Sequence, residues 1–387
     1  MATGRRAMQI LTVDVGTGTQ DIFLFRAGLG LENGLKLVMP SPTMVVWRQI
    51  RAATRRRSDV LLTGKTMGGG PSHWAARDHL RSGLRLFATP EAGRSFNDDL
   101  DQVQREMGVV IVSEDEAAGL REVERLLLRD LDYPAIEAAF RAFGVDPSPD
   151  ALAVAVFDHG AAPPGVSDRK FRFDYLLDRI RSSNRLSAFA YRAEEIPASL
   201  TRMKAVAETA AELDCPLVVM DTAPAAVLGA TLDPAAAAAE RVLVANVGNF
   251  HTLAFRLGPG GIEGLFEHHT GMVDRGRLEA LLSALAEGTL THAEVYDEGG
   301  HGALLLRTDP LSVREGEFGV VVTGPRRARL RSSRLRPYFA VPFGDMMIAG
   351  CFGLLAAAAD LLPDMSGPIR EALAGAGADR PLWEVEG

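Results

Sequence analysis

Asp14 ends a run of branched apolar residues and is followed at once by Gly16, Thr17, Gly18 and Thr19. A carboxylate at the end of a buried strand, with a Gly/Thr turn behind it, is one way to hold a phosphate. Glycine lets the backbone approach the anion, and amide and hydroxyl groups donate to its oxygens. The carboxylate itself repels phosphate, so it would act through a hydrated Mg2+, which keeps several of its waters. Asp14 is therefore a candidate catalytic residue and, through water, a candidate metal residue. The same residues also suit a ligand-free type I′ hairpin, in which Gly and Asp are common.

Asp158 closes a second apolar run at 152–157, with His159 beside it. A carboxylate there accepts a proton from a substrate hydroxyl or water, or else caps a turn. His159 orients a substrate or packs. Of eight histidines, His251, His268, His269 and His301 fall in a glycine-punctuated stretch of the second half. They suit a metal or substrate-side site, or are ordinary histidines. Adjacent residues on a strand point to opposite faces, so His268 and His269 cannot both face one metal.

The turn at 63–71 reads TGKTMGGGP and invites comparison with a P-loop. It fails, because Asp59 stands where that motif needs its first glycine. Gly68 and Gly69 still permit close approach of a substrate, or mark a plain strand–helix turn. Asn97, Asp98, Asp99 and Asp101 read as a helix start.

Several elements must position these residues. Strands are expected at 8–15 and 21–26, then at 35–38 and 59–63, with a helix at 44–57 between. Between 72 and 150 helical patterns alternate with short strands near 84–88 and 108–112. The 152–157 strand follows. Residues 161–200 show no period. A helix at 200–213, a strand at 217–220 and a helix opening at Asp221 come next, with Pro224 in its first turn. The alanine run at 235–239 reads as the domain link or its neighbouring helix. At 241–256 the opening pattern of strand, glycine turn and strand returns, about 230 residues on. That recurrence implies two duplicated units facing each other. A further strand is expected at 319–323 and a last helix at 346–359.

Length and composition bound the function. The chain has 387 residues, too many for one core, so two domains are expected. Net charge is -8, which gives no pull toward nucleic acid. Of 42 basic residues, 38 are arginine, which reads as a composition bias. Two distant cysteines, Cys215 and Cys351, exclude a disulfide framework, a cysteine-rich zinc site and a cysteine-ligated iron–sulfur cluster. No targeting segment is read at the start, and the most apolar late stretch, 346–362, is shorter than a membrane span needs. A cytoplasmic protein without nucleic-acid or membrane partners is expected.

Five stretches come in a telling order: DVGTGT at 14–19, DTAPAAVLG at 221–229, NVGNFHT at 246–252, VVTGP at 321–325 and AGCFG at 349–353. This order resembles the actin-like ATPase superfamily of sugar kinases, chaperone ATPases and actins. There these stretches are phosphate loop one, the first connecting helix, phosphate loop two, the adenosine motif and the second connecting helix. The resemblance spans 8–26 and 152–360. The whole chain is also similar to a prokaryotic family of this fold whose members are often labelled pyruvate formate-lyase activating enzymes. A radical activase needs a three-cysteine cluster motif, which this sequence lacks.

The resemblance implies an α/β protein of two lobes, a duplicated ribonuclease H-like fold with an insertion near 64–150. Lobe one would cover 1–232 and lobe two 233–345, with helices from 346–387 returning to lobe one. It implies ATP and Mg2+ as cofactors. Asp14 resembles the Mg2+-water ligand, with Gly16, Thr17, Gly18 and Thr19 in the first phosphate loop. Asn246 stands where the second loop usually has Asp, so the metal would be held more weakly or hydrolysis would be slow. Gly248, Asn249 and Thr252 would still donate to phosphates. Gly324 resembles the adenosine-motif glycine, and Arg326 or Arg327 would lie against adenine or on a solvated face. The implied activity is an ATP-binding phosphotransferase or ATPase with an unknown small-molecule or protein acceptor. The alternative is a nucleotide-gated accessory or reactivating factor for another enzyme.

Overall fold

A computed structural model describes residues 6–311 and 319–384. Residues 1–5, part of the stretch read for a targeting segment, lie outside them. The first sheet contains β1 (Gln9–Val15), β2 (Thr19–Arg26), β3 (Leu35–Pro40), β8 (Ala151–Val156), β9 (Ala190–Arg192) and β10 (Leu217–Asp221). Its order is β3-β2-β1-β8-β10-β9. β1, β8 and β10 run parallel and are buried along their whole length. Such strands are covered on both faces and read as unbroken apolar runs, which is why the sequence exposes them. Ile10, Ala153 and Met220 face one core, and Leu11, Val154 and Val219 the other.

The second sheet contains β11 (Val242–Val247), β12 (His251–Gly258), β13 (Gly261–His269), β14 (Gly302–Leu305), β15 (Val320–Thr323) and β16 (Pro337–Phe339). Its order is β14-β13-β12-β11-β15-β16. β11 pairs antiparallel with β12 and parallel with β15, as β1 pairs with β2 and β8. Three antiparallel strands followed by two parallel ones therefore occur twice. This is the duplicated, two-lobed ribonuclease H-like fold of the actin-like ATPases. A third, all-parallel sheet, β6-β5-β4-β7, interrupts the first lobe. It is built from β4 (Asp59–Gly64), β5 (Leu86–Ala88), β6 (Val110–Ile111) and β7 (Val123–Leu128). Among the described residues no helix is long and apolar enough to cross a membrane.

The two glycine turns are built alike. The Gly16 amide donates to the Thr19 carbonyl at 2.9 Å, and the Gly248 amide to the His251 carbonyl at 3.0 Å. A type I′ turn needs positive φ at both central residues. Neither Thr17 nor Gly18 has it, so the type I′ alternative is excluded.

Residues 161–200, which lack a period, contain a fifteen-residue helix, Asp168–Ser182. One of its four buried side chains is Arg172, which a hydrophobic period cannot count. Its Phe173, Leu176 and Ile180 pack with Val244 and Phe255 of the second sheet, so this helix lies between the lobes.

Two connector helices, Thr222–Ala230 and Ala349–Leu361, cross at small residues. A Cβ on Gly353 would stand 1.9 Å from the Ala225 carbonyl oxygen, and one on Gly229 1.7 Å from that of Ala349. The crossing is backbone on backbone. Alanine normally gains about 1 kcal/mol over glycine in a helix, but overpacking costs about 3 kcal/mol. Gly353→Ala is therefore expected to destabilise the protein by about 2 kcal/mol, read as a lower urea midpoint.

Candidate functional site

One cavity of about 800 Å³ lies between the lobes. Its wall carries Asp14, Gly16, Thr17 and Thr19 from the first turn and Asn246, Gly248 and Asn249 from the second. Gly324 and Gly350 close one end, while Gly68, Gly69, Asp158 and His159 also line it. The two turns meet, since a Cβ on Gly18 would reach the Asn249 amide nitrogen at 2.5 Å. Gly18, Thr252, His268, His269 and His301 do not line the cavity. The Thr252 hydroxyl bonds that of Thr270 at 2.9 Å. Arg327 bonds the Ala340 carbonyl and packs on Phe339, away from the cavity.

Asp14 is 8% exposed and lies at the start of both connector helices. Its Oδ1 accepts the Thr222 hydroxyl at 2.6 Å. Its Oδ2 rests on Gly350, where a Cβ would come within 1.8 Å. Asp21 is its antiparallel ladder partner and also lines the cavity. Sequence reading passed over Asp21, because only strand register pairs it with Asp14. Burial pushes the Asp14 carboxyl up to about 6. Burial and the neighbouring Asp14 push Asp21 up to about 8. The Asp21 Oδ1 is buried without a hydrogen-bond partner.

Asp158 is buried, and both its oxygens are committed. Oδ1 accepts the Gly160 amide at 2.8 Å and Oδ2 the Met203 amide at 2.9 Å. These bonds suit the turn cap, while burial pushes the carboxyl up to about 6, which suits a base. Behind it lies Arg172, wholly buried. Its guanidinium bonds Asp221 at the end of β10, Glu267 on β13 at 3.2 Å and the Asp158 carbonyl at 3.0 Å. Asp221 and Glu267 are likewise fully buried. Burial raises the pKa of both carboxyls, and Arg172 opposes that rise. Another buried carboxylate, Asp130, holds Arg202 at the cavity wall.

The histidines gather beside this hub. His251 pairs with His269 across the β12–β13 ladder, and Thr252 with His268. Alternation therefore puts His251 and His269 on one face and His268 on the other. His159 joins them from lobe one, with its Nε2 3.2 Å from the Nε2 of His301. Phe157 stacks on His251 at 4.2 Å between ring centroids. The Arg172 guanidinium lies 4.6 Å over the other partner in this stack, Phe157. Burial drives the imidazoles of His159 and His251 well below the usual range. His301 is pushed down to about 2, by burial first and then by His269. All three rings are therefore neutral at ordinary pH. Of the residues at this site, Phe157, Arg172 and Glu267 were not legible, because they only converge when the lobes meet.

The fold and cleft define a two-lobed α/β protein with a duplicated ribonuclease H-like fold. The chain belongs to the family described as "Putative pyruvate format-lyase activating enzyme (DUF1786)", whose model matches residues 67–329. A search of curated proteins found no match. Among solved structures the chain is similar to ethanolamine utilization protein EutJ from Carboxydothermus hydrogenoformans, at 10% identity and TM-score 0.28, covering 89% of this chain and 88% of that one. It is also similar to a ROK hexokinase from Thermus thermophilus, at 14% identity and TM-score 0.27, covering 90% and 98%. A Ppx/GppA family member from Aquifex aeolicus matches at 10% identity and TM-score 0.23, covering 98% and 90%. Overlaps this loose fix no residue correspondence.

Two outcomes follow from the buried charges. Arg172→Met leaves Asp221 and Glu267 buried without their cation, and is expected to cost about 3–5 kcal/mol in urea denaturation. For Asp21, the folded pKa of about 8 stands above the ordinary carboxyl value of 3.8. A carboxyl raised on folding favours the native state fully below its unfolded pKa and loses that contribution as pH rises toward 8. Without divalent ions, Asp21→Asn is expected to match the parent's melting temperature near pH 4 and exceed it near pH 8. Parallel curves across that window would refute the assignment.

Proposed function

We propose that this protein binds ATP with Mg2+ between its lobes and acts on the γ-phosphoryl group as a phosphotransferase or ATPase. The observation that carries the reading is the meeting of two equivalent glycine turns across one cavity, with Asp14 and Asp21 on its floor. The donor set fits a hard dication. Two carboxylates share the floor, Asp21 keeps one buried oxygen unpartnered, and oxygen ligands suit Mg2+. Asp14 and Asp21 would hold the hydrated ion, which would neutralise charge on the phosphates. The two turns would hold the phosphates in place, and Thr323, Gly324 and Pro325 would face the adenosine. Gly68 and Gly69, with Ser167 on the wall, leave room for an acceptor. Phosphoryl transfer is mostly positioning and charge neutralisation, so the cleft needs few reactive side chains.

Two observations favour a second reading, a nucleotide-gated accessory factor for another enzyme. Asp158 has both oxygens tied to backbone amides, and Asn246 offers no charge where a carboxylate would act. Nucleotide binding would then persist while turnover is slow. The radical chemistry implied by the family's label does not fit. Its iron–sulfur cluster requires thiolates that converge, and Cys351 and Cys215 pack on opposite faces of the first sheet.

Calorimetry with a non-hydrolysable ATP analogue tests the binding. Affinity is expected to depend on Mg2+ and to fall about tenfold or more in Asp14→Ala, a loss of about 1.4 kcal/mol. Absence of binding with and without Mg2+ would overturn the reading. ATP turnover by the parent protein would favour the catalytic form, and tight binding with negligible turnover that rises in Asn246→Asp would favour the gated one.

A further inference from the structure

We infer that His159, His251 and His301 form a transition-metal site that bridges the two lobes, separate from the Mg2+ position at Asp14 and Asp21. One ring nitrogen from each lies within 4.8 Å of the others. His159 follows β8 of lobe one, whereas His251 begins β12 and His301 precedes β14 of lobe two. An ion held by all three would tie the lobes at the back of the cleft.

One pair of the three already has the spacing of a metal site, and the third ring must move inward to complete it. Two imidazole nitrogens on one tetrahedral zinc, each at about 2.0–2.1 Å, stand about 3.3–3.4 Å apart. The Nε2 atoms of His159 and His301 are 3.2 Å apart. His251 Nε2 is a buried polar atom without any hydrogen-bond partner. Buried donors and acceptors are normally satisfied, so an orphaned imidazole nitrogen in this cluster calls for a ligand.

The surroundings supply what such a site needs. His301 Nδ1 lies 3.5 Å from Glu267 Oε1, itself buried without a hydrogen bond. With a metal on Nε2, His301 would carry its proton on Nδ1 and donate it to Glu267. That is the carboxylate–histidine pairing that orients metal-bound imidazoles. Imidazole donors select zinc, copper, nickel or iron over magnesium, so the two sites would not compete. Three imidazoles leave a four-coordinate ion one open position, and His159 and His251 both line the cavity.

The test uses the full-length protein, stripped with chelator and reloaded with Zn2+ or Co2+. After gel filtration, elemental analysis counts the retained ion, and visible absorption reads the Co2+ coordination. The expected result is one ion per chain, with a Co2+ band of four-coordinate type that Zn2+ bleaches and excess Mg2+ does not. His159→Ala and His301→Ala are each expected to lower affinity about tenfold or more, while the exposed His292→Asn keeps it. Circular dichroism checks folding, and the partly exposed His159 decides the matter if the buried His301 variant does not fold. The proposal is overturned if the parent keeps no stoichiometric ion, or if folded His159→Ala holds Zn2+ and Co2+ as the parent does. Neither outcome bears on nucleotide binding, which calorimetry at the Mg2+ site reads separately.

Discussion

The contact on which the rest of the molecule depends is the buried guanidinium of Arg172 between Asp221 and Glu267. Asp221 ends a strand of the first lobe and caps the first connector helix. Glu267 lies on a strand of the second lobe. One cation thus joins the lobes behind the wall of their cleft. It also reaches the Asp158 carbonyl and the face of Phe157, and so sets the position of the turn that carries His159. A buried ion pair contributes little net stability against a well-packed apolar alternative, but leaving either carboxylate alone there is costly. The arrangement therefore acts as a geometric constraint: the lobes meet in the one register that satisfies all three charges.

The connector helices impose a second constraint. They cross with glycine against backbone at Gly229 and Gly353, so they approach as closely as helices can. Both begin at Asp14, whose carboxylate sits on Gly350 and accepts from Thr222. A change at Asp14 therefore acts on the starts of two helices that lie between the lobes. A helix N-terminus favours negative charge, which helps hold a buried carboxylate there. Cleft chemistry and interlobe packing share the same atoms.

Much of the fold was legible because its central strands are buried on both faces. β1, β8, β10 and β11 read as apolar runs, and the repeated strand–glycine–strand pattern disclosed the duplication. Helix Asp168–Ser182 was not legible, since its key buried residue is an arginine. Nor were β7, β13 and β14, whose partners are set by sheet order. Asp158 reads as base or cap from sequence, and only the tertiary structure shows the two backbone amides it accepts from.

The sequence by itself determined the alternation that separates His268 from His269, the glycine turns, and a cysteine count that excludes an iron–sulfur cluster. Those properties are local or compositional, fixed by chirality, periodicity and number. The tertiary structure decided which distant residues share a site. It brought His159 to His301 across 142 positions, opposed Asp21 to Asp14, and enclosed Arg172 with carboxylates from two lobes. The physical reason is that such pairings arise from the order of strands in a sheet and the docking of two lobes. No local pattern of residue types encodes either one.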